Sequence, residues 1–169
     1  LRYSNVATDR EITIQDLLRH TSGFVYTSFT SHTKVKELYT KENVGWQDQT
    51  GAEQIERLAK VPLAHQPGTT FEYGLSTDVL GRVIEVITGM PLGQFIQERI
   101  FAPLGMTDSA FVVPKEKLDR LAQPFATDPA TKGPIKLVDV TVPPKNDAGG
   151  AGSVGTASDY VRFLQMMLN

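Results

Sequence analysis

The sequence predicts a mainly α-helical chain carrying a few short strands. Three observations lead there. Apolar residues recur at three- and four-residue spacing in several windows. A threonine followed three residues later by an acidic residue opens three of those windows, and glycine or proline closes most of them.

Thr13 with Asp16 is the capping pattern of a first short helix running through Arg19, with Gly23 past its end. A highly charged, surface-type helix follows Lys34, and Ser31 or Thr33 is its expected cap. Thr50 with Glu53 repeats the capping device ahead of a segment in which Ile55, Leu58 and Ala59 share a face and Pro62 ends the run. Pro67 and Gly68 then mark a turn, Phe71 and Tyr73 a short extended run, and Ser76 the expected cap of the next helix.

That helix has the strongest pattern, with Val79, Leu80, Val83, Ile84 and Ile87 in one broad apolar stripe, Gly89 beyond the last turn and Pro91 suited to start its successor. In the successor Leu92, Phe95, Ile96 and Ile100 give the inward side. Residues 115–121 read as a short helix, and residues 111–113 and 136–142 as extended pieces between proline-rich and glycine-rich connections. Thr156 with Asp159 caps a final helix whose Tyr160, Phe163, Leu164, Met167 and Leu168 are expected to face the core. No repeat and no low-complexity linker divides the chain, so residues 1–169 are expected to form a single domain.

Composition narrows the partners. The 169 residues are 40% hydrophobic and 21% charged, enough for one sizeable core and unlike either a disordered or a membrane-spanning chain. Seventeen basic residues against nineteen acidic ones leave a net charge of -2, which provides no footprint for nucleic acid. A small molecule is the expected partner. With no cysteine there are no disulfides and no thiol chemistry, although this does not decide the compartment.

The candidate for chemistry is Tyr73, at the junction of turn, extended run and helix, a corner that presents its side chain to a cleft. A phenol titrates near pH 10 in the absence of perturbation, so it acts as a base near neutrality only beside a cation supplied from elsewhere. The plain alternative is a half-buried strand aromatic with a wetted hydroxyl.

Several segments together resemble the serine β-lactamase-like family, which includes class C β-lactamases, D-alanyl-D-alanine peptidases, esterases and acyltransferases. Thr13-Ile14-Gln15-Asp16-Leu17-Leu18-Arg19-His20-Thr21-Ser22-Gly23-Phe24 is similar to the family's I-T-[IV]-x-D-L-L-x-H-T-S-G-[LF] segment, and Pro67 with Gly68, Phe71 and Tyr73 to its P-G-x-x-[FW]-x-Y element. Pro103-Leu104-Gly105-Met106-Thr107 resembles its x-P-L-G-M-x-[DN] helix end, and the run from Gly149 to Tyr160 its G-G-x-G-[LS]-x-[ST]-T-x-x-D-[YM] segment. The resemblance implies the helical subdomain of the α/β DD-peptidase fold. It also implies a fragment, because the family's S-x-x-K before the H-T-S-G segment and its later [KH]-[TS]-G or W-x-G strand are missing from these residues.

By that resemblance, a serine and a lysine from outside the chain would meet Tyr73, which takes the serine proton directly or through the lysine as an acyl-enzyme forms. The isolated chain is expected to be inactive. Where the family usually has Y-x-N, this sequence has Leu75, which can line an acyl pocket but cannot hydrogen-bond an acyl amide. Leu75 is therefore the expected substrate-binding residue, and esters are favoured over β-lactams. A β-lactamase or peptidase, or a non-catalytic binding module derived from the same fold, are the alternatives.

Three patterns are set aside. Ser31-His32-Thr33-Lys34 is a literal S-x-x-K, but it follows the H-T-S-G segment and leads into a charged helix, whereas a nucleophile of this type starts a buried one. Gly150-Ala151-Gly152-Ser153-Val154-Gly155 matches G-x-G-x-x-G without the preceding hydrophobic strand that a dinucleotide site requires. His20, His32 and His65 are spaced too widely, and without carboxylate company, to suggest a metal site, so no metal and no cofactor is expected. His20 is expected to fasten a loop through side-chain to backbone hydrogen bonds.

Overall fold

The computed structural model describes residues 5–45, 47–135 and 137–168. It contains six α-helices among these residues: α1 (Ile14–Leu18), α2 (Thr33–Glu42), α3 (Gly51–Leu58), α4 (Ser76–Thr88), α5 (Leu92–Ile96) and α6 (Ala157–Leu168). A π-helical turn, Gln97–Phe101, continues α5, and a 3-10 helix spans Lys115–Arg120. The expected short strands reduce to isolated bridges, Ala110 with Val154 and Thr127 with Pro134. Residues 111–113 and 137–142 touch through one ladder-type bond, from the Val113 N–H to the Val140 carbonyl at 2.8 Å. Lys136, the expected start of the second extended piece, lies outside the described residues.

The chain divides into two compact units, one holding the residues up to Leu92 together with Lys145–Ala151, the other Gly93–Pro144 and the residues from Gly152 onward. In the first unit α1 and α3 pack against α4, and α2 against α3. Its core is Val25, Tyr39, Val44, Leu58 and Leu75, with Phe24, Val35, Ile55 and Val79 packed around it. Burying one such aliphatic side chain is worth about 1.5–3 kcal/mol, and the cluster draws on α2 through Val35 and Tyr39, α3 through Ile55 and Leu58, and α4 through Val79.

Local chemistry sets the helix ends. Thr13 and Asp16, and likewise Thr50 and Glu53, form reciprocal capping boxes, with each hydroxyl accepting the third residue's N–H and each carboxylate accepting the cap's N–H. Gly89 ends α4 in the left-handed conformation at φ +68°, open to glycine without strain. Two expected caps are not formed. Residue Leu75 occupies the cap position of α4, and the Ser76 hydroxyl, one residue later, bonds instead to that of Ser22 at 2.8 Å inside the core. His32 occupies the cap position of α2 without a side-chain bond, so neither Ser31 nor Thr33 serves there.

In the second unit the buried anchor of α6 is a carboxylate. Asp159 accepts the Ser109 hydroxyl and the Asp108 N–H, both at 2.8 Å, while its own N–H goes to the Thr156 hydroxyl at 3.2 Å. The expected inward face of α6 is open, with Tyr160 61% and Leu168 87% exposed. Helical spacing identifies the apolar side of a helix but cannot say what covers it. A cavity of about 510 Å³ in this unit is lined by Phe101, Met106, Val154, Tyr160 and Phe163 among others.

Candidate active site

Residues 66–74 are fastened along the segment that follows α1. The Gly68 N–H donates to the Thr21 carbonyl at 2.8 Å and the Glu72 N–H to the His20 carbonyl at 2.9 Å. The Gly74 N–H reaches His20 Nδ1 at 3.4 Å, so His20 fastens this loop as its sequence context suggests. Position 74 requires glycine because a Cβ there would collide with the Phe24 carbonyl and the Val25 Cα.

Tyr73 leaves the chain between these anchors. Its ring is 48% exposed and stands against other rings, with centroids 5.0 Å from His20, 5.3 Å from Tyr26 and 5.8 Å from Phe29. Such tilted and edge-on arrangements are favourable and fix a ring's plane. The residue is therefore neither sealed among aliphatic side chains nor loose on the surface.

Beneath it lies a pair that sequence reasoning missed. The Tyr26 hydroxyl donates to Asp78 Oδ2 at 2.6 Å. Burial pushes the Asp78 carboxyl above its ordinary value, against the lowering effect of the Tyr26 bond. Burial, together with the Asp78 bond and charge, likewise raises the Tyr26 phenol. Gly149 and Gly150 pack on the start of α4, where a Cβ on Gly150 would stand 2.5 Å from the Tyr26 hydroxyl and 2.7 Å from Asp78 Oδ2. An acidic residue in a helix's first turn ordinarily reads as a dipole complement, which concealed the buried role of Asp78.

Leu75 points elsewhere. It is 2% exposed and belongs to the core with Val25, Tyr39, Val44 and Leu58, so its side chain supports the corner from below. Lys34, of the literal S-x-x-K, pairs with Glu37 at 3.0 Å on the surface of α2, and Ser31 is exposed.

The reading of the histidines needs correction. His65 Nε2 lies 2.5 Å from Glu72 Oε2 and His32 Nε2 lies 3.5 Å from the same oxygen, so two of the three histidines do share a carboxylate. Separation along the chain concealed this, because the loop after α3 and the start of α2 meet only in the fold.

The Beta-lactamase family profile matches residues 2–169. The chain belongs to the beta-lactamase family. Among its relatives, Protein Rv1367c of Mycobacterium tuberculosis is 38% identical over 94% of this chain and 39% of its own length. Esterase EstB of Burkholderia gladioli is 31% identical over 91% of this chain and 44% of its own. The solved structure of "EstCE1, a hydrolase with promiscuous acyltransferase activity" superposes with a TM-score of 0.73 at 28% identity, covering 92% of this chain and 45% of that one. The chain thus spans less than half the length of these beta-lactamase-family relatives. Its helical architecture is that of a helical subdomain of their fold. Among the described residues no single helix is long and apolar enough to cross a membrane.

Proposed function

We propose that residues 1–169 belong to one domain of a serine hydrolase or acyltransferase that acts through an acyl-enzyme on carboxylic esters, and that they contribute its active-site tyrosine. The observation that carries this reading is the half-exposed Tyr73 ring, held at a corner whose backbone is bonded on both sides. The esterase and acyltransferase names of the relatives support the ester class.

In this reading a serine and a lysine come from the longer protein. The serine oxygen attacks the ester carbonyl as its proton passes to Tyr73, directly or through the lysine. Collapse of the tetrahedral intermediate expels the alcohol, which takes that proton, and the serine keeps the acyl group. Water then releases an acid, or a second alcohol receives the acyl group. Leu75 takes part indirectly. As a core residue at the position where the family usually has asparagine, it brings no amide to a substrate carboxamide, which favours esters over β-lactams.

The test is the full-length protein assayed on a short-chain nitrophenyl ester. Tyr73→Phe should lower kcat by about 10²–10⁴-fold, the range for a proton-transfer group, with little change in Tm because the ring is half exposed. Unchanged kcat would remove Tyr73 from the mechanism. Faster turnover of nitrocefin than of the ester would replace the ester reading with the β-lactam one.

A further inference from the structure

We propose that His32, His65 and Glu72 form a binding site for a divalent transition metal, with Zn²⁺ the best fit. One ligand atom from each lies within 4.8 Å of the other two, and both imidazole Nε2 atoms converge on the same carboxylate oxygen. The two rings meet edge to face, with centroids 4.9 Å apart. All three residues are partly buried, near enough to the surface for an ion to enter and sheltered enough to shed some water.

Two histidines and a glutamate form a recognised zinc donor set, leaving a fourth position for water. Zinc bonds of about 2.0–2.2 Å place tetrahedral ligand atoms roughly 3.3–3.5 Å apart. The observed separations bracket that value, so small side-chain rotations suffice. A divalent ion also engages both imidazoles and the carboxylate at once, where the short His65–Glu72 contact leaves His32 at 3.5 Å.

The backbones beneath the three residues are already fixed. His32 stands at the start of α2, where its carbonyl accepts the Lys36 N–H at 2.9 Å. Residues near His65 are tied by the Ala64 N–H to the Gly23 carbonyl at 2.9 Å, and Glu72 by its N–H to the His20 carbonyl. The Thr30 hydroxyl accepts the His32 N–H at 3.2 Å, which steadies the backbone of that ligand as well. A bound ion would clamp the start of α2 to the loop that ends at Tyr73. This inference stands on its own geometry and does not require the esterase reading.

The untagged protein, stripped with EDTA, is titrated with Zn²⁺ and separately with Co²⁺. The site predicts one tightly held ion per chain, a rise in Tm reversed by EDTA, and a visible Co²⁺ spectrum of four- or five-coordinate type. His32→Ala and His65→Ala should each abolish the spectrum, and Glu72→Gln should weaken binding by about 10–100-fold or more, the loss expected for a ligand or its immediate support. Should a variant fail to fold, X-ray absorption on the Zn²⁺-loaded wild type decides, with two imidazoles expected on the metal. Absence of stoichiometric binding, binding indifferent to both histidine substitutions, or a metal shell without imidazole would overturn the proposal.

Discussion

Tyr26 gives its hydroxyl proton to a 2.6 Å hydrogen bond with Asp78 while its ring lies 5.3 Å from that of Tyr73. The half-exposed Tyr73 ring thus rests on a phenol whose polar end is engaged in the interior. Removing the donor leaves a carboxylate that is only 4% exposed short of a partner. Tyr26→Phe should cost about 1–3 kcal/mol, the penalty for stripping a hydrogen bond from a buried acceptor, read as a lower urea midpoint with an unchanged m-value.

The same pair has a pH signature. Burial raises the Asp78 carboxyl in the folded state, so the folded chain holds that proton more tightly than the unfolded chain does. Its contribution to stability is greatest below the unfolded value of about 3.9 and is lost as pH rises from there through the raised folded value. Asp78→Asn keeps an acceptor for Tyr26 and removes the titration. The variant's stability relative to wild type should therefore climb as pH rises across that window and then level off. Urea unfolding of both proteins from pH 3.5 to 8 checks this, and a variant-minus-wild-type stability difference that stays constant or falls with rising pH contradicts it.

Leu75→Asn recreates the family's usual residue at that position, yet the side chain here sits in the core beside Val25 and Leu58. Losing the leucine alone should cost about 2–5 kcal/mol, as large-to-small core changes do, and an amide without partners adds to that. The expected result is a marked fall in Tm with no gain of nitrocefin hydrolysis in the full-length protein. A well-folded variant with β-lactamase activity would show that this position faces substrate.

What was legible in the sequence divides by range. Thr13 with Asp16 and Thr50 with Glu53 act within a single turn, and the structure forms both boxes as read. The glycine stop of α4 is equally local, whereas at the end of its apolar stripe Ile87 is 78% exposed. Ser76 misled because capping chemistry was right for the residue type, while a buried Ser22 hydroxyl 54 residues away was the better partner. The pairing of Tyr26 with Asp78 joins residues 52 apart, and the His65–Glu72 pair, only seven residues apart, gathers in His32 from the start of α2, a convergence that no window of sequence shows. On α6 the apolar side was readable from spacing, but its cover was not, since amphipathicity carries no record of a partner.

Asp108 offers a further pH test in the second unit, with the opposite sign. Arg120 at 2.9 Å and Lys117 at 2.7 Å hold its carboxyl down at about 2, while its N–H links to the buried Asp159. A depressed acid stabilises the fold above its unfolded value, and that contribution disappears as pH falls through the folded one. Wild type should therefore exceed Asp108→Asn in stability at neutral pH, with the gap shrinking between about pH 4 and pH 2 as the carboxylate takes up its proton. Because the pair is partly exposed to solvent, the neutral-pH gap should also narrow in 1 M salt, where the screening length falls to about 3 Å. A difference between the two proteins that is indifferent to both acid and salt would mean that shape, and not charge, is what Asp108 contributes.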